Sequence, residues 1–176
     1  MKELFDRFRQ AQARLLATED KDAAVLEAPG ATRAQIEAVE ANLQIQLPSG
    51  FRDFLAAFDT AGPGGELFCF RMLPLVTAPS WDAIVERIAG GSGVVAALLD
   101  EQQILPFADD YGGRHWYCLE LSQADDEDCP VVELDLDCDL DDEDQIEILE
   151  VTESFAAFLE REMAACEREV AKRSGG

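Results

Sequence analysis

The chain has 176 residues, 48% of them hydrophobic, a length and composition that suit one domain with its own core and argue against a chain disordered throughout. Fourteen Lys and Arg against 37 Asp and Glu leave a formal charge of -23 at pH 7, which makes nucleic acid and anionic membrane poor partners and a basic protein the natural one. Met1 to Arg7 lack a secretory pattern and no stretch approaches the ~20 apolar residues of a membrane span, so a cytoplasmic location is expected.

In chain order, a first helix is expected from about Lys2 to Ala17, with Leu4, Phe5, Phe8, Ala11, Leu15 and Leu16 on one side and Arg7, Gln10 and Arg14 on the other. Thr18 to Gly30 reads as a linker. Thr32 and Gln35 form a capping box for a helix whose apolar residues Ile36, Val39 and Leu43 fall three and four apart. Leu47-Pro48 stops that helix. A second follows at once, with Ser49 as N-cap, Phe51, Phe54, Leu55 and Phe58 as its apolar stripe, and Gly62-Pro63-Gly64-Gly65 as its end. Two short amphipathic helices joined at a corner must bury both stripes, and the expected receiving surface is a sheet.

Glu66 to Leu73 alternates as one largely buried strand. Ser80 caps a helix with Trp81, Ile84, Val85 and Ile88 at helical spacing, which Gly90-Gly91-Ser92-Gly93 ends. Val94 to Leu99 fits strand or helix; a short helix is preferred, leading into a strand at Ile104-Leu105-Pro106-Phe107. Tyr111-Gly112-Gly113 makes a turn, and Arg114 to Leu121 a strand paired with Val131 to Leu136 across the loop Ser122 to Pro130. Beyond Leu136 the alternation persists, with Val132, Leu134, Leu136, Cys138 and Leu140 on one face and Glu133, Asp135, Asp137, Asp139 and Asp141 on the other. Gln145 to Val151 reads as a further strand, and Thr152 or Ser154 caps a terminal helix that turns Phe155, Phe158, Leu159, Met163, Cys166 and Val170 inward. The fold class is α+β: helices first, then a mostly antiparallel sheet, then a closing helix. One domain spans 1–176, with a helix and linker at 1–30, a core at 31–173 and a disordered tail at 174–176.

Several of these residues carry a family likeness. The pattern Ile36-Glu37, Glu40, Leu43, Leu47-Pro48, Phe51-Arg52-Asp53-Phe54-Leu55 with its glycine-rich exit resembles the opening motif of the SUKH superfamily, the Smi/Knr-like proteins. Tyr111-Gly112-Gly113 running into Trp116-Tyr117-Cys118-Leu119, and Ser154-Phe155 with Phe158-Leu159, resemble its later segments. The resemblance covers about residues 32–165 and implies a sheet flanked on one side by helices.

The strongest functional signal is the placement of charge. From His115 to Glu160 there is no Lys or Arg, while Asp125, Asp126, Glu127, Asp128, Glu133, Asp135, Asp137, Asp139, Asp141, Asp142, Glu143 and Asp144 all fall there. A solvated face explains ordinary charge runs. Here Asp is disfavoured in strands and clustered like charges repel, so these residues are the candidate partner-binding surface.

Other chemistry fares worse. Asp135-x-Asp137-x-Asp139 begins like a calcium loop, but Leu140 occupies the glycine position and Ile146 that of the bidentate Glu. His115, the only histidine, could complete a zinc tetrad with Cys118, Cys129 and Cys138, yet the cysteines lack the short spacing of structural sites. A strand position beside Trp116 and Tyr117 is preferred for His115. The five cysteines, odd in number and scattered, are expected as reduced thiols. No nucleophile elbow or phosphate-cradling motif occurs, so no catalytic residue, metal or cofactor is expected.

The resemblance implies an immunity protein that binds and neutralises a cognate bacterial polymorphic toxin, often a nuclease, and the acidic charge points to a basic one. On the nuclease reading the acidic face would occupy the surface meant for phosphates. The alternative is a regulatory or scaffold module of the Smi/Knr type. A monomer or weak homodimer is expected.

Overall fold

The computed structural model describes residues 1–18, 30–58, 66–67, 70–77, 80–110, 112–140 and 142–174. The interior of the 18–30 linker, the Gly62–Gly65 exit, Phe68, Cys69, Tyr111, Asp141 and the last two residues of the tail lie outside the described residues.

The N-terminal helix α1 runs Lys2–Thr18 and buries Phe5, Phe8, Leu15 and Leu16. Helix α2, Arg33–Leu43, opens with the expected capping box: Thr32 accepts from the Gln35 N–H, and Gln35 Oε1 accepts from the Thr32 N–H at 2.9 Å. It ends at Leu43, a turn before Leu47-Pro48, because Gln44 takes the left-handed conformation (φ 57°) and returns its N–H to Glu40 O. Pro48 still shapes the corner by keeping Leu47 out of the helical region. Helix α3, Ser49–Ala57, contains Ser49 as its first residue instead of its cap. Ser49 makes no side-chain cap. The N–H groups of Ser49 and Gly50 instead donate to the carbonyls of Asp126 and Glu127, at 3.0 and 2.9 Å, so a distant loop satisfies this helix start.

Strands β1 (Glu66–Leu67) and β2 (Phe70–Met72) pair antiparallel, where one continuous strand was expected. Residues 66–72 contain no Gly, Pro, Asn or Asp to announce a reversal, and period-two alternation is the same for one strand as for two. Helix α4, Trp81–Ala89, is capped by Ser80 and closed by Gly90 in the left-handed region (φ 57°). Helix α5, Gly93–Gln102, confirms the helical reading of residues 94–99. Strands β3 (Ile104–Asp109), β4 (His115–Glu120), β5 (Val131–Asp135) and β6 (Glu147–Thr152) complete an antiparallel sheet in the order β1-β2-β3-β4-β5-β6. Helix α6, Phe155–Ser174, closes the chain, reaching one residue further than the core boundary expected from the sequence.

Why the helices sit where they do follows from the aromatic residues. Nine of the ten phenylalanines are buried in one network: Phe5 and Phe8 from α1, Phe51, Phe54 and Phe58 at α3, Phe70 from β2, Phe107 from β3, and Phe155 and Phe158 from α6. Phe54 alone meets the rings of Phe5, Phe8, Phe51, Phe58 and Phe155. Phe107 reaches this network because the register of β3 against β4 shifts between Pro106 and Ala108, a bulge that re-aims its side chain. Helices α1, α3 and α6 thereby lie on the sheet face that also presents Tyr117, whose ring is 5.0 Å from that of Phe158. The opposite face is closed as well, since Trp116, Cys118, Val132 and Leu134 are all buried. Asp109, fully buried on β3, is neutralised by an ion pair with Arg71 of β2.

Candidate functional site

The acidic residues singled out from the sequence fall before, on and after β5: residues 125–128 precede it, Glu133 and Asp135 lie on it, and the rest follow it, with five residues of strand, roughly 16 Å, between the first group and the last. At its start, residues 125–128 belong to the frame. Asp125 Oδ1 accepts the N–H groups of Glu127 and Asp128, each at 2.7 Å, and these bonds hold its carboxyl below the usual range. The turn so made aims the Asp126 and Glu127 carbonyls at α3. It also aims the Asp128 carboxylate at α6: Oδ1 accepts from Phe155 N–H at 2.8 Å, and Oδ2 from Ala156 N–H at 3.3 Å. Ser154 Oγ takes the Ala157 N–H at 3.0 Å, as a cap should. Asp126 and Glu127 leave their side chains exposed.

At the far end of β5, cross-strand register places Glu133 opposite Tyr117 and Asp135 opposite His115. His115 Nδ1 lies 3.3 Å from Glu133 Oε1 and 3.8 Å from Asp135 Oδ1, in the strand position preferred for it. The acidic face expected to run on through Asp141 does not continue as strand. Leu136 N–H donates to Arg114 O at 2.7 Å, β4 begins at the next residue, His115, and among the described residues no strand continues beside the chain beyond that point. Asp135 Oδ1 accepts the Asp137 N–H at 2.8 Å and turns the backbone away. An Asp-x-Asp series thus imitates strand alternation while supplying turn chemistry, because a short carboxylate bonds the N–H two residues on.

The loop that follows is held the same way. Asp142 N–H donates to Asp139 O at 3.1 Å, and the Asp142 carboxylate accepts from the Asp144 N–H at 3.3 Å and Gln145 Nε2 at 2.6 Å. Glu143 shares a single helical turn with Asp144 and Gln145. Asp137 pairs with Arg114. Burial, and then the charges of Asp135, Asp139, Asp142 and Glu147, push the Cys138 thiol up. Glu147 stands opposite Asp135 on β6, the outermost strand, where Leu149 is 47% exposed. Glu147 and Leu149 were not among the residues chosen from the sequence. Leu149 was legible in principle, as an apolar residue alternating in phase with Glu147.

Cys118, Cys129 and Cys138 are thiols outside any disulfide, and Cys166 Sγ accepts a hydrogen bond from Gln12 Nε2 at 3.5 Å. Burial pushes Cys118 far up and Cys129 up to about 12. Among the described residues no three His, Cys, Asp or Glu side chains converge as a metal site requires, and no helix is long and apolar enough to cross a membrane.

A cleft of about 540 Å³ opens beside the α2–α3 corner. Residues 42–48 form one wall, Trp81 of α4 and the end of α5 another, and Leu121 with residues 124–126 the third. Gln44 (φ 57°) and Gln103 (φ 51°), the only described residues other than glycine with positive φ, both line it, as the left-handed caps of α2 and α5. Trp81 Nε1–H donates to Leu43 O at 3.0 Å, which fixes the indole at the cleft wall. No periodicity pointed to this cleft, since its walls come from four separate loops and helix ends.

No curated protein matches the sequence. A family model does, over residues 30–161, from three residues before α2 to the second turn of α6 and including every strand of the sheet. The chain belongs to the SMI1 / KNR4 family (SUKH-1).

Proposed function

We propose that this chain is an immunity protein, a binding module that neutralises a basic bacterial toxin through the acidic surface at the far end of β5 and β6. The observation that carries the reading is that Asp135 stands opposite Glu147 across β5 and β6, with Asp139 and Asp142 in the connection between the two strands, in a span from His115 to Glu160 that contains no Lys or Arg. Like charges held together by the fold cost stability unless something offsets them, and a cationic partner does so on binding. Membership of a family with many immunity proteins supports the toxin as that partner. The field steers a basic partner at long range and raises its association rate by roughly 10–10³ at low salt. Leu149, exposed on the edge strand between Glu147 and Glu150, supplies an apolar contact that charge alone lacks.

The test is co-expression with the toxin domain encoded beside this chain. Growth should be rescued by the parent protein and lost when Asp135, Asp139, Asp142 and Glu147 become Asn and Gln, with the association rate falling about tenfold and losing its salt dependence. Rescue that survives those four substitutions, or no rescue by the parent, sinks the proposal.

A further inference from the structure

We infer that the cleft between the α2–α3 corner and the ends of α4 and α5 is a binding site for an arginine side chain carried on an extended peptide segment. Its size, about 540 Å³, lies in the range of pockets that enclose a ligand, and it exceeds what one side chain fills. Its charge selects the sign of the occupant: Asp100, Asp125 and Asp126 line it, with no Lys or Arg among its described lining residues. The Asp125 carboxylate is kept ionised by the two backbone N–H groups it accepts. A bare divalent ion does not fit, because no three acidic groups converge on one point.

The remaining walls separate arginine from other cations. Trp81 lines the cleft with its one polar atom already satisfied by Leu43 O, and the remaining indole surface suits stacking by a flat cation. A guanidinium stacks on such a surface while its N–H fork reaches carboxylates; an ammonium does neither as well. Gln44 and Gln103 also line the cleft, and a carboxamide both donates and accepts, which matches the peptide groups flanking an arginine. The inference rests on the reading of this chain as a binder of a basic protein only for where the peptide comes from. Asp125 and Asp126 would then engage the partner after all, at a site separate from the acids of β5 and β6.

Titration of the whole ¹⁵N-labelled protein with a blocked Gly-Arg-Gly tripeptide tests the site without any toxin. Saturable shifts are expected at the Trp81 indole and the Gln44 and Gln103 amides, weakened at least tenfold when citrulline replaces arginine and about tenfold in an Asp100→Asn/Asp126→Asn protein. Both aspartates are exposed, so the variant should melt with the parent. Equal binding of the citrulline peptide, unchanged binding to the variant, or shifts confined to residues 133–147 would overturn the assignment. A titration that succeeds where toxin rescue fails supports the cleft and removes the immunity reading; one that fails while rescue succeeds does the reverse.

Discussion

Asp128 and Phe155 stand 27 residues apart in sequence, yet the carboxylate of the first accepts the backbone N–H of the second at 2.8 Å. Through this bond the loop before β5 caps the terminal helix, while the carbonyls beside it satisfy the start of α3. Both helices feed the same aromatic network, with the Phe51 and Phe155 rings 5.1 Å apart. One short acidic loop therefore sets the relative position of two helices.

Asp128→Ala should lower the unfolding free energy by about 1–2 kcal/mol, the cost of a lost helix cap with a charge at the favourable end of the dipole. Asp128→Asn keeps an acceptor and should recover part of it. Urea denaturation decides, and a variant as stable as the parent would remove the loop from its capping role.

Gly50→Ala should be costly for a different reason. A Cβ at this position would stand 2.8 Å from Glu127 O, which is backbone and is itself accepting the Gly50 N–H. Something must shift, at roughly 1–3 kcal/mol. Since Gly50 and Asp128 act on one loop, a double-mutant cycle should show coupling of about 0.5 kcal/mol or more; additive effects would contradict the shared clamp.

Phe54→Ala should cost about 3–5 kcal/mol, because the ring is fully buried among five others and its removal leaves a cavity the helices cannot close. A Phe54→Ala protein of parental stability that had lost only partner binding would mean the residue serves recognition instead of packing.

The buried thiols predict a pH dependence. Burial raises Cys118 and Cys129 above the value of about 8.5 that an unfolded thiol has. Above that pH the unfolded chain releases protons which the folded chain retains, so stability is complete below about pH 8.5 and falls as pH rises. The slope is about 1.4 kcal/mol per pH unit for each thiol. Denaturation midpoints at pH 8, 9 and 10 should decline, and a Cys118→Ala/Cys129→Ala protein should lose that part of the decline; an unchanged slope would mean other groups cause it.

Much of this architecture is legible from local chemistry. The capping box at Thr32 and Gln35, the caps at Ser80 and Ser154, and the stripes of α1, α3 and α6 all depend on residues within a turn or two of each other. Periodicity and short-range hydrogen bonding therefore reveal them, and with the order of the motifs they point to the family. The β1–β2 reversal and the end of β5 escape the same reading, because alternation records which face a residue occupies and not whether a neighbouring strand is present.

The sequence by itself determined that this is an acidic α+β chain with a phenylalanine-rich core, since charge, composition and helical stripes need no partner to be read. Only the tertiary structure decided what each acid does. Asp128 became a helix cap, Asp125 the pivot of a turn, Asp135 the residue that turns the chain away after β5 while facing Glu147 on the next strand, and Asp142 the acceptor that holds the turn before β6. A carboxylate's role depends on which N–H groups and which other charges lie within a few ångströms, and that is a property of long-range packing.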